Sequence, residues 1–244
     1  MRIIRYEFKY LINEEWYRKV MDCISSYLVP DPFAANLPGY RYTVNSLYLD
    51  SPSGLYYDEK MAGSKYRRKV RMRCYSEDFF CADTYFVEIK KRDQFHIDKI
   101  RFKMEADDFH RFMRNDFMSY QNGFFDCDNN SDQMIMDEVI YYCNRHALSP
   151  HTFILYDREA YIADNDDTVR VTFDRMIRSQ RCFSTRMKNI HNWTLVFPGK
   201  IVLEIKVRTF LPFWLHNMVK KLGMEYESIS KYCGGVDIVN SVYI

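Results

Sequence analysis

The sequence predicts an α+β fold in which about eight antiparallel strands form a closed β-barrel around a charged tunnel, with helices packed on the outside. Eight short segments alternate between apolar and charged residues, which is the periodicity of a β-strand. Four other segments repeat apolar residues at helical spacing, and they need an apolar surface to cover. Aromatic residues make up 17% of the chain, and they favour strands because their rings pack well on a pleated surface.

Each predicted strand has one apolar face and one charged face. Lys69, Arg71 and Arg73, for example, alternate with apolar residues along one segment. The segments with this pattern are 5–10, 46–50, 69–74, 85–90, 99–103, 153–161, 169–174 and 201–208. An open sheet with one solvated face would show the same alternation. A barrel with an inward charged face is favoured because these faces carry long ionic side chains and few serines or threonines.

The predicted helices cover the apolar faces of these strands. Asn13 followed by Glu14 and Glu15 predicts an N-cap and an acidic first turn. The helical segments are 13–28, 104–118, 131–147 and 211–222. Turn-forming residues, including Cys-Gly-Gly at 233–235, predict the connections between elements. No connection is long enough for an interdomain linker, so residues 1–244 are predicted to form a single domain.

Composition and short motifs exclude several classes of protein. The 35 Lys and Arg nearly balance the 33 Asp and Glu, so net charge alone predicts no polyanionic partner. The seven cysteines contain no Cys-x-x-Cys pair, which argues against a structural zinc site and predicts free thiols in a reducing cytoplasm. No apolar run reaches the roughly 18 residues that span a bilayer. The chain has no Walker A motif, and its longest basic run is too short to predict specific nucleic-acid binding.

The charged faces of the predicted strands are mostly basic. Their cations are Arg5, Lys9, Lys69, Arg71, Arg73, Lys90, Lys99, Arg101, Lys103, Arg158, Arg170, Lys206 and Arg208, and their carboxylates are Glu7, Asp50, Glu88, Asp174 and Glu204. Enclosed cations repel one another and lose hydration, so such a lumen predicts a bound anion. A chain of phosphates matches it, because arginine offers a bidentate fork to phosphate oxygens and lysine a point charge.

Two carboxylates among these cations are candidate metal ligands. Glu7 and Glu204 lie on separate predicted strands, and their hard oxygens suit Mn²⁺ or Mg²⁺, which bridge protein and phosphate oxygens. The alternative is that neighbouring arginines or lysines simply neutralise each carboxylate.

Nine short motifs follow one another in a recognisable order. They are R-Y-E-F-K-Y at 5–10, S-L-Y-L-D at 46–50, R-R-K-V-R-M-R-C-Y at 67–75, Y-F-V-E-I-K-K at 85–91, D-K-I-R-F at 98–102, Y-D-R at 156–158, V-R-V-T-F-D at 169–174, V-L-E-I-K at 202–206 and S-K-Y at 230–232. With these motifs the chain resembles the triphosphate tunnel metalloenzyme superfamily, and within it the polyphosphate polymerase domain of vacuolar transporter chaperone (VTC) type. The resemblance runs from about residue 3 to residue 235.

The resemblance implies a polymerase that transfers the γ-phosphoryl of ATP to inorganic polyphosphate with Mn²⁺ or Mg²⁺. It implies catalytic roles for Lys9, Arg71, Arg73, Lys90, Arg158 and Lys231. It implies phosphate binding by Lys69, Lys99, Arg101, Tyr156, Arg170, Lys206 and Ser230. Glu204 would coordinate the metal, with Glu7 nearby. Coupling to a membrane would need a separate membrane protein partner.

Two positions depart from the pattern of the superfamily. Arg5 replaces the first acid of its opening E-x-E-x-K motif, which fits the polymerase branch better than the hydrolases. Ser228 stands where some relatives carry a lysine, which leaves one cation fewer. Two other functions stay open at this point. One is a hydrolase of tripolyphosphate, nucleoside triphosphates or RNA 5′ ends, and the other is a polyphosphate-binding module without catalysis.

Overall fold

One large antiparallel sheet dominates the computed structural model, which describes residues 6–94, 96–114, 130–163, 166–184, 187, 190–208 and 210–242. The strands are β1 (Tyr6–Ile12), β2 (Leu28–Pro30), β3 (Arg41–Asp50), β4 (Tyr66–Cys74), β5 (Thr84–Asp93), β6 (His96–Glu105), β7 (Ser149–Ala163), β8 (Asp166–Arg181), β9 (Thr194–Leu195) and β10 (Ile201–Val207). The helices are α1 (Glu14–Ile24), α2 (Leu55–Met61), α3 (Ala106–Arg114), α4 (Asn130–His146), α5 (Phe213–Leu222) and α6 (Lys231–Val242), with a 3-10 turn at Pro38–Tyr40.

The sheet follows the strand order β1-β10-β8-β7-β3-β4-β5-β6, with short β2 beside β7 and β9 beside β8. All eight predicted strands are confirmed as members of this path. Within the described residues β1 and β6 are not hydrogen-bonded to each other, so the predicted closed barrel is not confirmed. The curled sheet is bridged by side chains instead, because Lys90 Nζ of β5 lies 3.0 Å from Glu7 Oε2 of β1. An ion pair of long side chains reaches farther than the ~4.8 Å spacing of paired strands.

The apolar faces of the strands point outwards and are covered by helices, as the periodicity predicts. Phe109 of α3 and Val139 of α4 join one buried cluster on β3 to β6. Val20 of α1 and Leu215 of α5 join a second cluster on β1, β8 and β10. Each of these four side chains is fully buried, which stabilises the fold by about 1.5–3 kcal/mol apiece.

The boundaries of the predicted helices differ from the observed ones where other contacts intervene. Asn13 caps α1, since its Oδ1 accepts a hydrogen bond from the Trp16 N–H at 2.9 Å. The helix ends at Ile24 because Leu28–Pro30 pairs with β7. Gly223, at φ 59°, ends α5 in the left-handed conformation that glycine adopts readily. Of the predicted residues, Arg5, 115–118 and Cys127 lie outside the described ranges.

Helix α6 packs inside the sheet and not on its outer surface. Its Tyr232 and Val236 join a third cluster with Tyr48 and Ile154, whose side chains share the inner face with the charged residues. A Cβ on Gly235 would lie 2.3 Å from Ile154 Cδ1 and 2.8 Å from Ser179 Oγ, so a larger residue would have to displace both side chains. The prediction of a turn at 233–235 is therefore wrong: the glycines lie within a helix that fills one end of the lumen.

None of the helices in the described ranges has the length and apolar composition needed to cross a bilayer.

Candidate functional site

A buried carboxylate, Glu88 of β5, holds the cations on one side of the lumen. Glu88 is 1% exposed, and its carboxylate lies 2.6 Å from Arg71 Nε and 2.7 Å from Lys99 Nζ. Arg73 and Arg101 approach it to 4.0 and 3.9 Å. Burial opposes ionisation of Glu88, but Arg71, Arg73 and Lys99 outweigh it and hold its pKa well below the usual value. Glu88 is therefore a permanent anion that positions cations from β4 and β6.

Two tyrosines extend this cluster towards β3 and β7. Tyr48 accepts a hydrogen bond from Arg71 Nη1 at 2.8 Å, and Arg73 Nη2 donates to Tyr156 OH at 3.5 Å. Burial alone would raise the pKa of Tyr48, but Arg71, Lys69 and Arg73 lower it to about 8. The cations thus make this buried phenol easier to ionise than a free tyrosine.

A second buried anion, Asp174 of β8, organises the other side. Arg158 makes a bidentate pair with it, with Nε–Oδ1 at 2.6 Å and Nη2–Oδ2 at 2.8 Å. Lys231 Nζ, from the first turn of α6, lies 2.6 Å from Oδ2. Burial opposes ionisation, yet Arg158 and Lys231 keep the pKa of Asp174 below its ordinary value. The bidentate geometry locks the guanidinium plane of Arg158.

The two candidate metal ligands lie side by side on β1 and β10. Glu7 Oε1 is 3.0 Å from Lys9 Nζ, and Glu204 Oε1 is 2.7 Å from Lys206 Nζ. The two carboxylates also lie close enough for each to affect the pKa of the other. Burial opposes their ionisation. Lys206 and Lys9 nevertheless hold the pKa of Glu204 well below its ordinary value, and Lys9 and Lys90 lower that of Glu7 less strongly because Glu204 opposes them.

These residues fit a divalent ion that binds together with phosphate. Adjacent carboxylates on Glu7 and Glu204 supply hard oxygen ligands, and Mg²⁺-type sites complete their coordination with substrate phosphates and water. Across the described ranges, no group of three or more His, Cys, Asp or Glu side chains forms a complete protein cage. The chemistry of the donor pair therefore suits Mn²⁺ or Mg²⁺ held jointly by protein and ligand.

The segment before α6 brings two further groups to the lumen, the Ser230 hydroxyl and the Ile229 carbonyl. Lys69 Nζ donates to Ser230 Oγ at 2.9 Å, and Ser230 Oγ accepts from the Cys233 N–H at 3.3 Å. Lys9 Nζ reaches the Ile229 carbonyl oxygen at 3.5 Å. Burial lowers the pKa of Lys69 to about 8. Lys69 thus sits in the lumen as a partly desolvated ammonium group held by a hydroxyl.

Arg170 marks the edge of the site. Its Nη2 lies 2.9 Å from Asp31 Oδ2 and 3.3 Å from Tyr42 OH, at one mouth of the lumen. The structure brings all predicted site residues to the same lumen: Lys9, Lys69, Arg71, Arg73, Lys90, Lys99, Arg101, Tyr156, Arg158, Arg170, Lys206, Ser230, Lys231, Glu7 and Glu204. Their placement is observed, and their individual roles stay predictions.

The β4–β5 pair contains cations that the sequence-based site did not include. Three successive cross-strand neighbours carry like charges: Arg67 opposite Arg92, Arg68 opposite Lys91 and Lys69 opposite Lys90. Like charges directly opposite each other destabilise a sheet. Arg67 and Arg92 extend the same alternation by one step beyond the predicted strand ends, so a longer count of that pattern would have found them.

The two faces of this pair differ in how the charges are neutralised. On the outer face, Arg68 pairs with Glu59 of α2 at 4.0 Å and Lys91 pairs with Glu138 of α4. On the inner face, Arg67, Lys69 and Arg92 have no carboxylate within 4.0 Å in the part of the chain that the structure describes. The inner column of cations is therefore left for a ligand to neutralise.

Comparisons with known proteins bear on the family and the fold of this chain. A family model of the VTC domain matches residues 4–240. A crystal structure of an adenylate cyclase candidate from Bacillus halodurans superimposes with a TM-score of 0.55 over 94% of this chain and 96% of that one, at 8% identity. An adenylyl cyclase candidate from Hippeastrum with a dominant triphosphatase activity gives a TM-score of 0.49 over 97% and 95%, at 12% identity.

None of the curated proteins matches the sequence significantly. The structural likeness at 8% identity shows the fold alone, whereas the family model covers nearly the whole chain. The family resemblance read from the ordered motifs is thus confirmed, and the chain belongs to the VTC domain family with its triphosphate-tunnel fold.

Proposed function

We propose that this protein is a polyphosphate polymerase, which transfers the γ-phosphoryl of ATP to the end of an inorganic polyphosphate chain inside the lumen. One observation carries the proposal: the lumen keeps an excess of positive charge after its own carboxylates are counted. Glu7, Glu88, Asp174 and Glu204 are each contacted by two or more basic side chains, and further inner cations have no carboxylate partner in the described ranges.

A phosphate chain is the ligand that best offsets this excess. Buried cations lose hydration and repel one another, so an anion with several charges in a row stabilises them all at once. Arginines fixed by a carboxylate, as Arg71 is by Glu88, present their remaining N–H groups in a set direction. The lumen therefore supplies many charge-assisted hydrogen bonds along a linear path.

The transfer itself needs little proton chemistry. The terminal oxygen of the acceptor chain is already anionic, so no general base has to remove a proton from it. Catalysis then consists of positioning donor and acceptor in line and neutralising the charge of the transferred group. Arg71 and Lys99 on one side, and Arg158 and Lys231 on the other, would hold the two phosphate chains between them.

A divalent ion contributes charge neutralisation and orients the phosphates of the donor when it is bound. Glu7 and Glu204 would hold it, and the lysines beside them keep both carboxylates ionised at neutral pH. Lys206 would therefore act on the ligand set in addition to the phosphate binding that the family resemblance implies for it.

Incubation with ATP and Mn²⁺ tests the proposal when polyphosphate is separated on a gel and free phosphate is measured in parallel. We expect chains that lengthen with time and release of ADP. Free phosphate without chain growth would identify a hydrolase of tripolyphosphate or nucleoside triphosphates that uses the same lumen. Tight binding of polyphosphate without turnover would identify a binding module.

A further inference from the structure

Four aromatic side chains form a connected cluster at one mouth of the lumen, which we name the aromatic collar: Phe33, Tyr42, Tyr75 and Phe86. The ring centres of Phe33 and Tyr42 are 4.9 Å apart, and those of Phe33 and Tyr75 are 5.5 Å apart. Tyr75 in turn lies 5.8 Å from Tyr42 and 5.7 Å from Phe86. The collar thus joins the loop after β2 to β3, to the residue that follows β4, and to β5.

The collar adjoins the cations of the lumen. Tyr75 follows Arg73 by two positions, and Phe86 lies directly opposite Arg73 in the β4–β5 register. The guanidinium of Arg101 lies 3.7 Å from the centre of the Phe86 ring, as in a cation–π pair. The aromatic and cationic surfaces are therefore neighbours. In a strand, residues two positions apart, as Arg73 and Tyr75 are, lie about 6.6 Å from each other.

The collar is exposed, yet its position is fixed. Phe33 is 57% exposed and Tyr75 is 37% exposed. Asp31 holds the loop of Phe33 in place: it accepts a hydrogen bond from the Phe33 N–H at 2.9 Å and pairs with Arg170 at 2.9 Å. The Asp31 N–H also donates to the Ala160 carbonyl oxygen at 2.9 Å. A preorganised aromatic surface loses little conformational entropy when a flat ring stacks on it.

We propose that the aromatic collar binds the nucleobase of ATP by stacking while the neighbouring cations bind its triphosphate. The inference rests on the proposed function, because it assigns the base a place beside the same lumen. A nucleoside triphosphate combines a flat ring with a chain of negative charge, and this mouth presents a matching surface for each. Stacking uses the π face that every base has, so ATP and GTP should bind with similar affinity.

Calorimetry with two ligands tests the collar. β,γ-Imido-ATP carries base and phosphates, whereas tripolyphosphate carries phosphates alone. For Phe33→Ala and for Tyr75→Ala we expect the Kd of β,γ-imido-ATP to rise roughly 5- to 150-fold, the range for loss of one stacked base. The Kd of tripolyphosphate should stay within about twofold, because the cations are untouched. Phe33→Trp should retain the affinity for the nucleotide, since indole offers a larger stacking surface.

Phe213→Ala is the matched control, because this phenylalanine of α5 is 79% exposed and takes no part in the ring contacts that define the collar. It should change neither Kd. Equal losses for both ligands in the collar variants, or no loss for either, would overturn the collar while leaving the proposed function standing. A wild-type protein that binds neither ligand would overturn both.

Discussion

Both faces of the β4–β5 pair carry positive charge, but they differ in whether carboxylates neutralise it. On the outer face, acidic residues of α2 and α4 neutralise Arg68 and Lys91. On the inner face, Arg67, Lys69 and Arg92 are left without a carboxylate within the described ranges. The difference shows that the basic residues of the β4–β5 pair have two separate structural roles. The outer residues pair with acidic residues of α2 and α4, and the inner residues leave the lumen with the positive charge that the proposed polyphosphate site needs.

The largest difference between the two faces should appear when a carboxylate is removed from each and turnover is measured. Glu204→Ala removes a buried oxygen ligand beside Glu7, so metal-dependent turnover should fall at least about 100-fold. The rate of phosphate transfer from ATP, measured against Mn²⁺ concentration, checks this. Glu138→Ala on the outer face is the control and should leave the rate unchanged. Activity in Glu204→Ala equal to that of the wild type would refute the assignment of this metal ligand.

The next largest effect, on binding of tripolyphosphate, should come from an inner-face cation of β4, with an outer-face cation of the same strand as its control. Arg71→Ala should weaken binding of tripolyphosphate by roughly 1–3 kcal/mol, the range for a lost charged hydrogen bond. Arg68→Ala, on the same strand but facing α2, should leave that affinity unchanged. Calorimetric Kd values check both variants, with thermal unfolding to verify that each is folded. Similar losses in the two variants would mean that the faces do not differ in ligand contact.

Lys69 allows the cost of an uncompensated inner cation to be measured without ligand. Lys69→Met keeps the aliphatic stem and should raise the free energy of unfolding by about 1 kcal/mol at pH 7. Because burial lowers the pKa of Lys69 to about 8 from 10.5, the unfolded chain holds this proton more tightly than the folded protein. Protonated Lys69 therefore opposes folding most strongly below pH 8, and this cost fades as the pH rises towards 10.5.

Denaturant unfolding between pH 6 and about pH 10 measures the gap in free energy of unfolding between Lys69→Met and the wild type. A gap that widens with increasing pH would contradict the assignment of a desolvated ammonium to Lys69. Saturating tripolyphosphate should reverse the order of stability, since a ligand that binds the folded state stabilises the wild type more.

The smallest effect on ligand binding should come from the two inner-face arginines nearest to solvent, Arg67 and Arg92. Arg67→Ala and Arg92→Ala should each weaken binding of long-chain polyphosphate by about 0.5–1 kcal/mol, because these residues are closer to solvent. Tripolyphosphate should bind as it does to the wild type, since a short chain held by Glu88-anchored cations does not extend that far. Competition between the two ligands checks this difference. Equal losses for short and long chains would place these arginines within the central site.

Much of this architecture was predictable because it depends on neighbouring residues. Alternation of period two is a local property, so Arg71 and Arg73 can be assigned to one strand face without knowing the partner strands. The N-cap at Asn13 is local as well. The order of the motifs then indicated the family that the chain belongs to.

Other features depend on groups that are distant in the chain. The consecutive glycines before Val236 predict a turn by composition, and only the packing of α6 against β7 and β8 explains them as helix residues. The contact between the two ends of the sheet also depends on residues that are far apart in the chain. Lys90 and Glu7 are 83 positions apart, and their ion pair spans a gap that hydrogen bonds in the described ranges do not close.

The sequence by itself determined the strands, the sign of charge on each face and most of the cations that reach the lumen, although it missed Arg67 and Arg92. Only the tertiary structure decided which of those cations are neutralised, and that the aromatic collar stands beside them. The physical reason is register: whether Arg71 meets Glu88 or faces a ligand depends on how β4 pairs with β5 and how the sheet curls. Those relations arise from long-range packing, which local periodicity does not encode.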